Sequence, residues 1–385
     1  MSLPEKKVRD LIKLMNSVSK FHLPAVKPLM DCFDLAMDER TLDFLLAAGT
    51  GPYTRQELKT VYERLFRPED PDGEWPPFLG EILQMSFIYP TPDNSQYLLA
   101  PIFPGWIELS SSGVGEPDEK RKAILARFMD YWQLLRLINI PPVRMWDNYI
   151  KTKNKDVDVP GMTTQVSRGS REISLNTPLT SQQEIRAAGE VYQLLARHKD
   201  EIAVMNCMCR LHKQAEGGHC ELDLPMEGCV TLGPVSRQLV ENGMARALTF
   251  DEAFAMMDEM ERKGCVHTTY HYGNRSDREE LAICNCCKDC CLLYGGYQQG
   301  YLSKVQVRSF YVPQMVDEKN CVGCGRCGRY CPTDATWYDK AQKKLVFHYE
   351  NCIGCGQCVN QCKFDVRKMV PDERNVFVKT KKKSA

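Results

Sequence analysis

Two cysteine runs constrain this chain more than any other stretch. Cys321, Cys324, Cys327 and Cys331 are followed, 31 positions on, by Cys352, Cys355, Cys358 and Cys362, and each run reads C-x-x-C-x-x-C-x-x-x-C. A compact iron–sulfur cubane needs four thiolates around it, and this spacing supplies them from one tight stretch of backbone. Gly323, Gly325, Gly354 and Gly356 lie in the two-residue loops, where a residue without Cβ lets the chain turn closely around a cluster. Paired zinc knuckles also use C-x-x-C. They lack a doubled run closed by Cys-Pro, as Cys331-Pro332 closes the first run here.

Over about residues 316 to 371 the chain resembles the bacterial-type two-cluster ferredoxin family. The resemblance implies two [4Fe–4S] clusters, with the fourth cysteine of each run crossing to the other cluster. One ligand set is then Cys321, Cys324, Cys327 and Cys362, and the other is Cys352, Cys355, Cys358 and Cys331. The second run departs from the family in reading Cys362-Lys363 where proline is usual. All eight ligands are kept. Lys363 either raises the potential of the adjacent cluster or simply faces solvent. The glycines from Gly323 to Gly328 formally fit G-x-G-x-x-G, but they belong to a cysteine knuckle and not to a strand–turn–helix that grips a dinucleotide.

The two runs use eight of the chain's 19 cysteines, and ten of the other eleven fall between residues 207 and 291. Met1 to Asp10 holds no apolar core followed by a cleavage site, so no secretory signal is expected. The thiols therefore read as metal ligands in a reducing, cytoplasmic and anaerobic setting, and not as disulfides. No stretch approaches the length of uninterrupted apolar sequence that a transmembrane helix needs. A formal net charge of zero removes any global electrostatic case for nucleic acid.

The 385 residues suffice for two or three domains, and the expected class is α+β. Residues 1–110 read as a helical, winged-helix-like domain, with helices at Glu5–Ser19, Asp38–Ala48, Arg55–Phe66 and Pro77–Phe87 and a wing hairpin around Pro92-Asp93-Asn94. Thr54 and Glu57 form a capping-box pattern. The reading helix of such a module would be Pro77–Phe87, which carries no Lys or Arg; an architectural or protein-docking role is therefore expected before DNA binding. Residues 111–172 read as a linker and a helix, Asp118–Asn139, whose Phe128, Tyr131 and Trp132 belong in a core, followed by a polar loop. Residues 173–315 read as a cysteine-rich metal-binding domain, 316–371 as the ferredoxin domain and 372–385 as a basic tail. Within the third segment Ser181-x-x-Glu184 and Thr249-x-x-Glu252 cap helices, and Ile202–Met205 is a short strand.

The middle segment holds Cys207-x-Cys209-Arg210, Cys220 and Cys229, then Ile283-Cys284-Asn285-Cys286-Cys287 and Cys290-Cys291. The first group has thiolates enough for one further cluster and the second for another, with sharing between groups left open. Side chains of neighbouring residues diverge, so Cys286-Cys287 and Cys290-Cys291 are not expected all to face one metal. Structural zinc and a redox-active dithiol are the alternatives. Arg210 either donates to cluster sulfur or sits in a surface salt bridge, and nearby histidines read as ordinary hydrogen-bonded residues. Cys32 and Cys265 read as packing residues. With the upstream region, these segments resemble a family of multi-cluster ferredoxin-like proteins of anaerobic microbes.

That resemblance implies electron transfer. The expected function is an iron–sulfur electron carrier, a subunit or dedicated donor or acceptor of an anaerobic oxidoreductase. It would hold two ferredoxin clusters and one or two further Fe–S clusters, and exchange electrons with redox partner proteins. Two alternatives stand beside it: an enzyme whose middle cluster binds substrate, and a redox-sensing DNA-binding regulator. No nucleotide, flavin or nucleophile motif is present, so no catalytic residue is named.

Overall fold

Local capping chemistry starts several of the helices. The computed structural model describes residues 2–19, 22–137, 160–164, 191–275, 279–292, 294, 309 and 311–372. The chain opens with α1 (Glu5–Ser17), α2 (Lys27–Ala36), α3 (Glu39–Ala48), α4 (Arg55–Phe66) and α5 (Pro71–Gln84). At α4 the Thr54 hydroxyl accepts from Glu57 N at 3.2 Å and the Glu57 carboxylate accepts from Thr54 N at 2.7 Å, a reciprocal cap that satisfies two otherwise orphaned donors. The α5 helix starts at Pro71 and not at Pro77. Asp70 accepts from Gly73 N at 3.1 Å as N-cap, and Pro71 fits the first turn, where its missing N–H costs nothing. A hairpin follows, β1 (Ile88–Pro90) and β2 (Tyr97–Leu99), antiparallel, with Asn94 left-handed in its turn.

A π-type turn, Ile102–Trp106, leads into α6 (Ile107–Ser111), and α7 (Glu119–Leu137) packs along α2. Phe128, Tyr131 and Trp132 of α7 are buried in one core with α1 to α5. The Ser/Gly stretch between α6 and α7 does not form a free tether. Ser110, Ser111 and Ser112 are buried, and the Gly113 and Gly115 carbonyls accept from Asn206 N at 2.8 Å and Asn206 Nδ2 at 2.6 Å.

The middle of the chain is built on one six-stranded antiparallel sheet. Its elements are β3 (Pro160–Thr164), α8 (Val191–Arg197), β4 (Ile202–Asn206), α9 (Met208–Ala215), β5 (Glu227–Leu232), α10 (Pro234–Glu241), β6 (Arg246–Leu248), α11 (Phe250–Lys263), β7 (Val266–Arg275) and β8 (Glu280–Cys286). Strand order is β3-β7-β8-β5-β4-β6. Thr249 and Glu252 cap α11 reciprocally, and Met257 and Met260 on its inner face are buried. Gln238 of α10 donates to the Ile88 carbonyl at 3.2 Å, and Tyr89 meets Tyr272 edge-on at 5.6 Å; both tie the hairpin to the sheet.

The last part comprises β9 (Tyr311–Met315), α12 (Arg326–Arg329), β10 (Thr336–Asp339), β11 (Lys344–Phe347), α13 (Gln357–Asn360) and β12 (Arg367–Pro371). Strand β9 pairs with β12 and β10 with β11, both antiparallel. The class is α+β, as expected. No helix among the described residues is long and apolar enough to cross a membrane. The Ser181 cap, most of the polar loop before it and the basic run Lys379–Lys383 lie outside the described residues.

Candidate metal centres

In the ferredoxin-like part, each knuckle turns on left-handed glycines. Gly323, Gly325, Gly354 and Gly356 have φ from 68° to 81°, a region closed to most residues with a side chain. A Cβ on Gly323 would lie 2.7 Å from the Tyr338 ring. Cys331, Cys352, Cys355 and Cys358 line one cavity with Ile353, Phe347 and Pro313. These are the four thiols of the second ligand set, Cys331 joining it from the first run. Ala335 N donates to Cys331 Sγ at 3.1 Å and Gly354 N to Cys352 Sγ at 3.3 Å. The donor set, its cavity and its backbone donors fit a [4Fe–4S] cluster.

The other set lies nearer the surface. Cys324 is exposed, and Cys321, Cys327 and Cys362 are partly buried. Arg326 clamps Gln361, the residue before Cys362, through Nη2 to Oε1 at 2.9 Å and Nε to the carbonyl at 3.2 Å. This holds the end of the second run against the first. Lys363 is exposed to solvent. Between the two sets sits Arg367, which is buried, bonds Thr336 Oγ1 at 2.7 Å, hydrogen-bonds the Cys358 thiol and bears electrostatically on Cys327.

The middle cysteines separate into two groups that cut across their order in the sequence. Cys284 and Cys286, two apart on β8, share a face of the strand, and Cys284 lies opposite Cys229 of β5 in register. Cys207 occupies the N-cap position of α9 and Cys209 sits in its first turn. Thiol contacts then run from Cys207 to Cys209, Cys291, Cys286, Cys284 and Cys229. All six line one apolar cavity, together with Phe103, Glu108, Ser112 and Tyr270, and Cys287 and Cys290 also contribute to its wall. A neighbouring thiol first, and burial second, hold Cys207, Cys284 and Cys286 well above the usual thiol range. Any metal bound there would displace these protons. The Glu108 carboxyl accepts from Gly105 N at 2.7 Å, and burial pushes it up to about 8.

Cys220, Cys287 and Cys290 form the second group, together with Asp289. Cys220 Sγ lies 3.7 Å from Cys287 Sγ. Hydrogen bonds from Cys287 and Cys290 hold the Cys220 thiol low, while contact with Cys220 pushes Cys287 up to about 12. Cys220 thus leaves the company of Cys207, Cys209 and Cys229 in which the sequence groups it. Each adjacent pair is split: Cys286 and Cys291 face the first group, Cys287 and Cys290 the second.

Arg210 lies between the groups. It is buried, so the surface salt bridge is excluded, and it donates to Pro225 O at 2.7 Å, Asn285 O at 2.6 Å and Cys265 Sγ at 3.7 Å. Cys265 is buried against Cys287 and Cys290, a proximity that its isolated place in the sequence does not signal. Cys32 is a packing residue that bonds the Pro28 carbonyl at 3.3 Å within the helical core. His267 is an ordinary hydrogen-bonded histidine, with Nδ1 2.6 Å from Asn285 Oδ1.

The inner ferredoxin set docks on the middle part. Gln357 Nε2 donates to the Cys265 carbonyl at 2.6 Å, Asn360 Nδ2 to Glu261 O at 3.3 Å and Gln361 Nε2 to Arg262 O at 2.9 Å. Lys288, within the cysteine turn, pairs with Asp334 at 2.6 Å. Ile353 and Cys355 pack in the same core as Cys286 and Cys291.

Residues 314–363 match the family model of the 4Fe-4S dicluster domain. No curated protein and no solved structure matches the chain.

Proposed function

We propose that this chain is an iron–sulfur electron-transfer protein, acting as a subunit or dedicated donor or acceptor of an anaerobic oxidoreductase. The dicluster domain and the cysteine-rich middle region support an iron–sulfur carrier. Cys321, Cys324, Cys327 and Cys362 would hold the outer cluster, Cys331, Cys352, Cys355 and Cys358 the inner one. At least four of the six thiols around the Glu108 cavity would hold a further cluster. Such clusters supply one-electron transfer, with potentials set by nearby charge, hydrogen bonds and burial.

One observation carries the reading: the inner thiol set is docked against the six-thiol cavity while the outer set meets solvent. Ile353 and Cys355 pack in one core with Cys286 and Cys291 of that cavity, and Gln357, Asn360 and Gln361 bond the carbonyls of residues 261, 262 and 265 beside it. On the other side, Val322 between Cys321 and Cys324 is 62% exposed. Of the eight exposed large hydrophobic residues among those described, six lie between Met315 and Phe364. Exposed apolar side chains concentrated in the ferredoxin part suit transient docking of a redox partner.

A second reading has its own observation. Six thiols exceed the four a cubane needs, and Glu108, kept protonated at neutral pH, lines their cavity. A protonated acid beside a redox centre is placed to donate to a substrate. The DNA-reading alternative fares worse, because α5 exposes Asp72, Glu74 and Glu81 and no Lys or Arg.

An EPR-monitored redox titration of the reduced full chain tests the proposal. The expected result is a set of interacting signals beyond those of two ferredoxin clusters, with Cys286→Ser removing only the additional ones. Two signals alone, unchanged in Cys286→Ser, would overturn it.

A further inference from the structure

The second thiol group is too tight for a cubane. In a tetrahedral zinc site with metal–sulfur bonds of about 2.3 Å, neighbouring sulfurs lie about 3.8 Å apart. Cys220 Sγ and Cys287 Sγ are 3.7 Å apart, and the ligand atoms of Cys220, Cys287, Cys290 and Asp289 all lie within 4.8 Å of one another. A cubane instead spreads its four thiolates over four separate irons.

Asp289 gives an independent indication. Its side chain is only 9% exposed. Oδ2 is engaged by Lys213 Nζ, by Glu221 N at 2.9 Å and by Cys290 Sγ at 3.3 Å. Oδ1 is buried and has no partner among the described residues. Leaving a buried carboxylate oxygen unpaired is costly, and the carboxylate that carries it belongs to the same tight group as three thiols. We propose that Cys220, Cys287, Cys290 and the Asp289 carboxylate bind one zinc ion, separate from the iron–sulfur centres. Three thiolates and a carboxylate complete a closed tetrahedron, as in structural zinc sites. Binding sends the thiol protons to solvent and moves no electrons. The ion would join the loop after α9 to the turn after β8, whose Lys288 meets the ferredoxin part.

The test uses the full chain purified anaerobically, with zinc, iron and acid-labile sulfide measured on one sample and the zinc environment read by X-ray absorption. The expected result is about one zinc per chain, with three sulfurs at about 2.3 Å and one oxygen at about 2.0 Å. Cys220→Ser and Asp289→Asn should each lose most of the zinc and keep wild-type iron and sulfide, which also reports that the variants fold. Wild-type protein without zinc overturns the assignment. So does a variant in which iron and sulfide fall together, because that makes these residues cluster ligands. Iron lost without sulfide would give the site to a lone iron and equally overturn zinc. A low total iron count would damage the electron-transfer reading and leave this site untouched.

Discussion

Single side chains tune this molecule by where they place charge. Arg367 lies buried between the two ferredoxin thiol sets, bonded to Cys358 and facing Cys327. A cation there favours the reduced, more negative state of either cluster. Arg367→Gln should lower both potentials, by on the order of 60 mV if about 1.4 kcal/mol of charge stabilisation is lost in a one-electron couple. Film voltammetry reads this directly; unchanged potentials would remove Arg367 from that role. Glu108 has the opposite problem. Burial raises its folded-state pKa to about 8, above the ordinary carboxylate value of about 4.3. The unfolded chain therefore loses that proton first as pH rises, and stability falls from the ordinary value up through the folded one. Glu108→Gln cannot ionise. Its apparent unfolding midpoint should gain on the wild type between pH 6 and pH 8, whereas a constant gap would mean that Glu108 is already ionised. At this scale the sequence was readable in part. Alternation alone separates Cys286 from Cys287. The meeting of Cys209 with Cys291 depends on how distant strands register, and no local pattern encodes that.

Elements were legible where their signals are local. The capping boxes at Thr54 and Thr249 form as their spacing predicts, because each needs only four consecutive residues. The helix expected at Pro77–Phe87 starts six residues earlier, because Asp70 caps it and Pro71 fits its first turn. Ser110 to Gly115 has linker composition, yet Asn206 fixes its carbonyls against β4. Only the tertiary fold supplies that partner. Gly264 shows how an element end sets an interface. It closes α11 at φ 109°, and a Cβ there would collide with the Tyr330 ring of the ferredoxin part. Gly264→Ala should lower the apparent unfolding midpoint by at least about 2–4 °C, the equivalent of roughly 1 kcal/mol. Adding Tyr330→Ala should restore part of the loss; no restoration would mean that the cost is purely backbone strain.

At the scale of the whole molecule, the chain arranges thiols from the surface inward. The outer set, with Cys324 exposed, leads to the more buried inner set, which docks through Gln357 and Lys288 against the cysteine-lined middle of the sheet. The N-terminal helices close that cavity with Phe103, Glu108 and Ser112. This gives the N-terminal region an architectural use, while α5 exposes Asp72, Glu74 and Glu81. The central claim is that the middle cavity holds iron–sulfur chemistry in addition to the ferredoxin pair. Iron and acid-labile sulfide per chain, measured on anaerobically purified full-length protein, test it most directly. The account predicts about twelve or more of each, eight from the dicluster domain and at least four from the six-thiol cavity. A count of about eight of each would contradict it and leave the cavity thiols without a cluster.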